Sequence, residues 1–351
     1  MDLRKIFTPE IIAAYWTEVA NARSPYLGEA LWTPAKKAGL DLKWIKGHKG
    51  VPVSLMPSAF DAKATFRDRP GIAMTETEMP FFREGFKIKE KDRQELLRVQ
   101  DSDDRYAQDV ISRLFDDAGE LIEGALVVPE RMRMALLFPE GGDMQIVFKA
   151  NGVDYTYDYD PGDAWKTANY KFLQGTRLWT APSTADPFAD VDERKELISM
   201  STGNELAYMV MNSVTAKLLY ACDAVKNRFL TTNGLAVGYI TNDEAKAAVE
   251  KTTGLTILIN DKAYKDEDGV AAKFVPDGYV SFIPAGNLGS TWFGTTPEEA
   301  DLGDKSTVVE TGVAITTILD DHPVNVNTFA SEIVLPSFER MDDVTVLKVI
   351  A

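Results

Sequence analysis

Two histidines and one cysteine are the only imidazoles and thiol in the chain, and that scarcity bounds its chemistry. His48 lies in Gly47-His48-Lys49-Gly50 and His322 in Asp320-Asp321-His322-Pro323, both loop contexts. They leave little for a nucleophile–base triad or a zinc site. Cys222 falls in the apolar run Val214 to Phe229, which reads as one helix, where a free thiol acts as a small hydrophobe. A single cysteine excludes an intrachain disulfide and a thiolate cluster, and it suits a reducing compartment. Asp266-Glu267-Asp268-Gly269 hints at a calcium loop but lacks the alternating oxygen ligands and closing Glu; a solvated hairpin tip is expected. Gly286-Asn287-Leu288-Gly289 lacks the full glycine fingerprint of a phosphate cradle. Neither a phosphate loop ending in Gly-Lys-Ser/Thr nor a Gly-x-Ser-x-Gly elbow occurs. The carboxylate pairs Asp320-Asp321 and Asp342-Asp343 keep one enzymatic alternative open: a cytoplasmic α/β hydrolytic enzyme using such a pair, with a domain-swapped arm. The expectation is otherwise no catalytic residue, cofactor or metal.

Of the 351 residues 45% are hydrophobic, enough for a sizeable core. Lys and Arg number 38 against 54 Asp and Glu, a net charge of −16. Such a chain repels polyphosphate unless its basic residues gather on one face, which argues against nucleic-acid recognition; were it to surround DNA, it would contain it without gripping it. Met1-Asp2-Leu3-Arg4-Lys5 leads into charged and aromatic residues, and no run approaches the roughly twenty apolar residues of a spanning helix. A soluble, unsecreted protein is expected.

The elements that would position any site follow an unusual order. From Met1 to about Lys89 the chain shows no compact core pattern. Thr8-Pro9-Glu10 opens a short helix with Thr8 as N-cap. The aromatics of Tyr26 to Gly47 must dock on something, either their own domain or a neighbouring subunit. Val51, Val53 and Leu55 alternate, Asp68-Arg69-Pro70-Gly71 forms a turn, and Ala73 to Met79 returns, which predicts a long hairpin. After Asp101 to Asp104, the spacing of Tyr106, Val110, Leu114, Ala118, Leu121, Ala125 and Val128 predicts a helix of about 35 Å, bent at Pro129 and continued to Leu137. Asn151-Gly152 marks a second hairpin, and the aromatic stretch Trp165 to Phe188 is expected to cross between domains. Helices over Asp190 to Met200, Ser213 to Phe229 and Thr241 to Gly254 alternate with strands at Leu206 to Met211, Leu255 to Ile259 and Tyr279 to Pro284, an α/β pattern. Strands at Thr307 to Leu319, Asn325 to Leu335 and Val344 to Ile350 close the chain, the last expected beside the Asn151 hairpin.

The arm segments Tyr26-Leu27-Gly28-Glu29-Ala30-Leu31-Trp32 and Leu40-Asp41-Leu42-Lys43-Trp44-Ile45-Lys46-Gly47, the run Phe274-Val275-Pro276-Asp277-Gly278-Tyr279-Val280 and the ending Pro336-Ser337-Phe338 to Ile350, taken in this order, resemble the lambda-type phage major capsid proteins. The resemblance implies an α+β, Hong Kong-type (HK97-like) capsid fold: an N-terminal arm (1–48), an E-loop hairpin (49–90), a peripheral domain with a spine helix (91–189), an axial α/β domain (190–304) and return strands of the peripheral domain (305–351). It further implies a major capsid protein that assembles through hexamers and pentamers into an icosahedral shell around phage double-stranded DNA. Expected inter-subunit contacts are Tyr26, Leu31, Trp32, Trp44, Phe66, Arg67, Arg69, Phe81 and Phe82, with Pro129 as the bend of the spine helix. Expected partners are copies of the chain, a scaffolding protein, a portal and a decoration protein, with no membrane. The expected location is the virion capsid, assembled in the host cytoplasm.

Overall fold

Apolar residues spaced by three and four place a helix where expected, and its buried stripe organises the first half of the fold. A computed structural model describes residues 7–20, 23–46, 73–88, 105–150, 153–232, 240–321 and 324–351. The chain opens with α1 (Pro9–Ala20), α2 (Leu27–Leu31), β1 (Trp32–Lys36), β2 (Asp41–Lys46), β3 (Ala73–Glu78), β4 (Phe81–Ile88) and α3 (Arg105–Leu137). It continues with β5 (Gln145–Ala150), β6 (Val153–Asp158), α4 (Ala164–Asn169), β7 (Tyr170–Phe172), α5 (Pro187–Ser201), β8 (Leu206–Met211), α6 (Ser213–Ala221), α7 (Asp223–Thr232) and α8 (Asn242–Thr253). The remainder is β9 (Thr256–Ile259), β10 (Ala263–Lys265), β11 (Ala271–Lys273), β12 (Tyr279–Pro284), β13 (Gly289–Phe293), α9 (Pro297–Asp301), β14 (Ser306–Glu310), β15 (Val313–Asp321), β16 (Val324–Ser337) and β17 (Thr345–Lys348). Two compact units result, one of residues 1–43, 76–132 and 289–337, the other of 44–75, 133–288 and 338–351.

In the first unit the strand order is β1-β13-β16-β15-β14, with β4 along the free side of β16. Its core joins Ile12 and Trp16 of α1, Phe115, Ala118 and Ile122 of α3, and Val313, Ile315, Val326 and Ala330 of the sheet. Residue 118 was expected on the buried stripe; Phe115 and Ile122 become its flanks, while Leu114 and Leu121 are only partly buried. Trp16 donates its indole N–H to Glu310 at 3.1 Å, and the Tyr15 hydroxyl donates to Asp116. Among the described residues of the leading stretch, Phe7, Ile12, Trp16, Leu31, Trp32 and Leu42 are all core residues. Sequence patterning missed this because the apolar residues are too sparse to form a local core and are completed by strands some 300 positions away.

Helix α3 runs 33 residues through Pro129 to Leu137, the expected end, roughly 50 Å with the continuation included. Pro129 is buried within it. The Thr307 to Leu319 run is two strands, not one, because Thr311-Gly312 turns the chain between β14 and β15. Gly312 has φ +85°, and a Cβ there would lie 2.2 Å from the Phe293 ring, so glycine is required at the turn. The return strand β3 pairs with β2; the turn expected at 68–71 lies outside the described residues.

The second unit is built on a five-stranded sheet ordered β7-β17-β12-β8-β9. Met209, Met211, Ile257, Val280, Phe282, Leu347 and Val349 pack there with Val191, Ile198, Leu219, Val225 and Val249 of the helices. The last strand, β17, thus lies inside the sheet, between β7 and β12, and not beside the β5–β6 hairpin, which forms its own two-stranded sheet. The aromatic stretch after Trp165 does not cross between units but belongs entirely to this one. The predicted helix over Ser213 to Phe229 is broken at Cys222, whose backbone is extended. Burial pushes its thiol up to about 11, as befits a neutral core side chain. Helix α8 has the expected boundaries: Thr241 and Glu244 form a capping box, and Gly254 ends the helix in the left-handed conformation. Asp266 to Gly269 is an exposed hairpin tip, with Asp266 accepting from the Asp268 and Val270 amides.

Candidate functional site

Arm residues 23–37 form a tightly built constellation in the first unit. Helix α2 is five residues long, bounded by Tyr26 and Trp32, both of extended backbone. Its Gly28 N–H donates at 3.0 Å to Oε1 of Glu130 on α3, in a buried contact between residues 102 positions apart. Glu130 is 0% exposed, and a carboxylate withdrawn from water requires donors of this kind. Arg23 pairs with Glu29 at 2.9 Å and lies over the Tyr26 ring at 5.1 Å. Burial raises the Tyr26 pKa, opposed by the Arg23 charge.

Past α2 the chain enters the sheet. Trp32 is 0% exposed and donates its indole N–H to the Ser337 carbonyl at 3.0 Å. Strand β1 runs parallel to β13, Trp32 opposite Gly289, and Lys37 N–H continues the ladder to the Phe293 carbonyl at 2.8 Å. A Cβ at Gly289 would lie 2.0 Å from the Ser337 oxygen and 2.9 Å from Trp32 Nε1. Close backbone approach makes glycine obligatory. Lys36 pairs with Glu299 on α9.

Of the residues expected at inter-subunit contacts, Leu31, Trp32 and Trp44 are buried within the chain itself. Trp44 lies 5.5 Å from the Tyr159 ring. Tyr26, Phe81 and Phe82 are half-buried; Arg83 covers Phe81 at 4.7 Å and pairs with the buried Glu298, which also accepts from Ser331. Phe66, Arg67 and Arg69 lie outside the described residues. Sequence reasoning found the arm motif but missed its acceptor, because nothing in Pro129-Glu130 marks that one glutamate as buried.

Two polar networks in the second unit were also missed. Asp190 accepts from Arg177 and, at 3.1 Å, from the Trp179 indole. Glu193 one turn on takes Lys171, Arg177 and Arg194; burial alone would raise its pKa, but the hydrogen bonds from Arg177 and Lys171 draw it down to about 2. The network fastens the irregular segment before α5 to that helix. Asn212 caps α6 by accepting from Thr215 N–H at 2.8 Å, and donates to Val275 O and Asp277. The Phe274 to Val280 run is thereby tied to α6, with Gly278, φ +78°, packed against Ile350.

One member of each carboxylate pair is held in a hydrogen-bonded contact. Asp343 accepts from Arg340 and Asn204, each at 2.8 Å; Asp320 accepts from Asn327 at 2.7 Å. Among the described residues no three His, Cys, Asp or Glu side chains converge as metal ligands, and no helix is long and apolar enough to cross a membrane.

Comparison with solved structures defines the class. A phage-related protein from Bordetella bronchiseptica RB50 superimposes with a TM-score of 0.56 at 14% identity, covering 95% of this chain and 96% of that one. A protein assigned as a prophage capsid protein of E. coli CFT073 gives 0.55 at 14% identity, over 80% of each chain. The fold is the HK97-like capsid fold. No curated protein sequence matches the chain. The sequence pattern of the family described as phage major capsid protein E matches residues 11–349, and the chain belongs to that family. It is a structural, shell-forming protein of the phage virion, self-assembling rather than catalytic.

Proposed function

We propose that the chain forms hexamers and pentamers that close into an icosahedral head around double-stranded DNA, assembling in the host cytoplasm with a scaffolding protein, a portal and a decoration protein. The observation that carries this reading is the family match across residues 11–349, which takes in the arm, both sheets and the terminal strand. The unit built on α3 and the β14–β16 sheet takes the peripheral role, and α5 to α8 with their sheet take the axial role. Phe81 and Phe82, half-buried on β4, together with Phe66, Arg67 and Arg69, contact adjacent subunits. Tyr26 is the part of the arm that a neighbour reaches, since Leu31, Trp32 and Trp44 are already enclosed. Pro129 is the point where the spine helix adapts to different local curvature. With a net charge of −16, DNA is enclosed without being bound in a sequence-specific way.

The test is expression of the chain alone and with its genomic neighbours, followed by electron microscopy of the sedimenting fraction. Closed shells with fivefold and sixfold capsomers are expected; a uniformly small species under every condition would overturn the proposal.

A further inference from the structure

We propose that strand β6 of one copy of the chain adds, antiparallel, to the open edge of β4 in a second copy, with Asp158, Thr156 and Asp154 opposite Arg83, Gly85 and Lys87. Among the described strands β4 pairs only with β16, and β6 only with β5. Hydrogen bonds fix which backbone groups point outward. Val334 N–H donates to the Pro80 carbonyl, so residue 80 and, by alternation, 82, 84, 86 and 88 face β16. Phe81, Arg83, Gly85 and Lys87 therefore turn their N–H and C=O groups away from the sheet. Tyr159 N–H donates to the Met144 carbonyl at 2.8 Å, so Asp154, Thr156 and Asp158 likewise turn theirs away from β5. Such an edge is a template for one more strand, and a two-stranded sheet gains most from an added neighbour.

Side-chain chemistry selects the partner and its direction. In an antiparallel pair the outward residues stand directly opposite one another, with their side chains on one face. With Gly85 opposite Thr156, Arg83 meets Asp158 and Lys87 meets Asp154, and on the other face Phe86 meets Tyr155. A parallel pair would shift the strands by one residue and put the cations and carboxylates on opposite faces. Pairing β4 with its own copy about Gly85 sets Arg83 against Lys87, and pairing β6 with itself about Thr156 sets Asp154 against Asp158. The outer edge of β5, aligned through Val147, brings Lys149 against Arg83. Like charges placed opposite destabilise all three. The charges in the favoured pair are accessible: the side chains of Arg83, Lys87 and Asp154 are 46%, 51% and 58% exposed. Their present partners are Glu298 for Arg83, Asp320 at 3.8 Å for Lys87 and Lys149 at 3.2 Å for Asp154; exposed Asp158 accepts from the Asp160 N–H at 2.8 Å. Because the two edges are different surfaces, the contact runs head to tail, the kind that closes into rings.

The proposal rests on the assembly reading and names one contact within it. The full-length chain carrying both Lys87→Cys and Asp154→Cys tests the register, since directly opposite positions lie within the span of a disulfide. Oxidation should give a ladder of covalent multimers on non-reducing gels, in the soluble and sedimenting fractions alike, while Lys87→Cys combined with Asp158→Cys stays monomeric. Lys87→Glu should lower the sedimenting yield about ten-fold, and adding Asp154→Lys should restore it. Shells with no ladder, or no rescue by the second charge, would overturn the strand pairing and leave shell assembly standing. A ladder without shells would support the pairing and defeat the closed-head reading; neither ladder nor shells would overturn both. A monomer that only gains mobility on oxidation would place the bond within one chain and overturn the role of a second copy.

Discussion

Gly289 shows how much of the arm's placement depends on a missing methyl group. The indole of Trp32 and the Ser337 carbonyl occupy the space a side chain would need. Gly289→Ala should destabilise the first unit by about 1–3 kcal/mol and move Trp32 out of its buried environment. Urea unfolding with tryptophan fluorescence measures both effects; an unshifted midpoint would mean that the β1–β13 contact is looser than described. The glycine was visible in the sequence as part of Gly286-Asn287-Leu288-Gly289, where it invited comparison with a phosphate cradle. What could not be read there was its opposite number, since Trp32 precedes it by 257 positions and no local pattern joins them. Asn212 is a similar case: a good N-cap residue in sequence, but its grip on Val275 and Asp277 is visible only in three dimensions.

Among elements, those governed by local rules were legible. Helix α8 followed from Thr241, Glu244 and Gly254, and the strands at Leu206–Met211 and Tyr279–Pro284 from their apolar runs. Elements completed by distant partners were harder to read: β17 was assigned a neighbour it lacks, and α1 to β1 showed no core pattern of their own. The ion network at the start of α5 belongs to the second kind and makes a measurable claim. Glu193 is held at about 2 against an ordinary 4.5, so its contribution to stability is present above pH 4.5 and is lost as pH falls toward 2. Glu193→Gln should be less stable than wild type at neutral pH, with the difference vanishing by about pH 2. Parallel slopes for the two proteins across that window, in thermal melts, would place the acid sensitivity elsewhere. Pro129 offers a second test at this scale. Removing it restores a helix N–H within α3, so Pro129→Ala should stabilise the isolated helix yet narrow the range of shell curvature. Unchanged shell size and yield by electron microscopy would show that α3 is not the adaptable element.

For the whole molecule, charge and connectivity set the terms of assembly. The excess of acid over base, 54 against 38, predicts that the free chain will not retain duplex DNA at about 150 mM salt, where binding driven by phosphate contacts is already weakened. A gel-shift titration checks this, and tight, strongly salt-dependent binding would refute it. Composition speaks to charge, whereas the division into units was hidden. The chain passes from one unit to the other at 43/44, 75/76, 132/133, 288/289 and 337/338, so each unit is assembled from three separate stretches. This interleaving has a genetic consequence. A single recombination event within residues 44–337 cannot deliver an intact unit from either parent, because each unit has residues on both sides of the junction. Hybrids that survive should therefore come from parents whose paired strands already fit, and the gene should tend to be inherited whole.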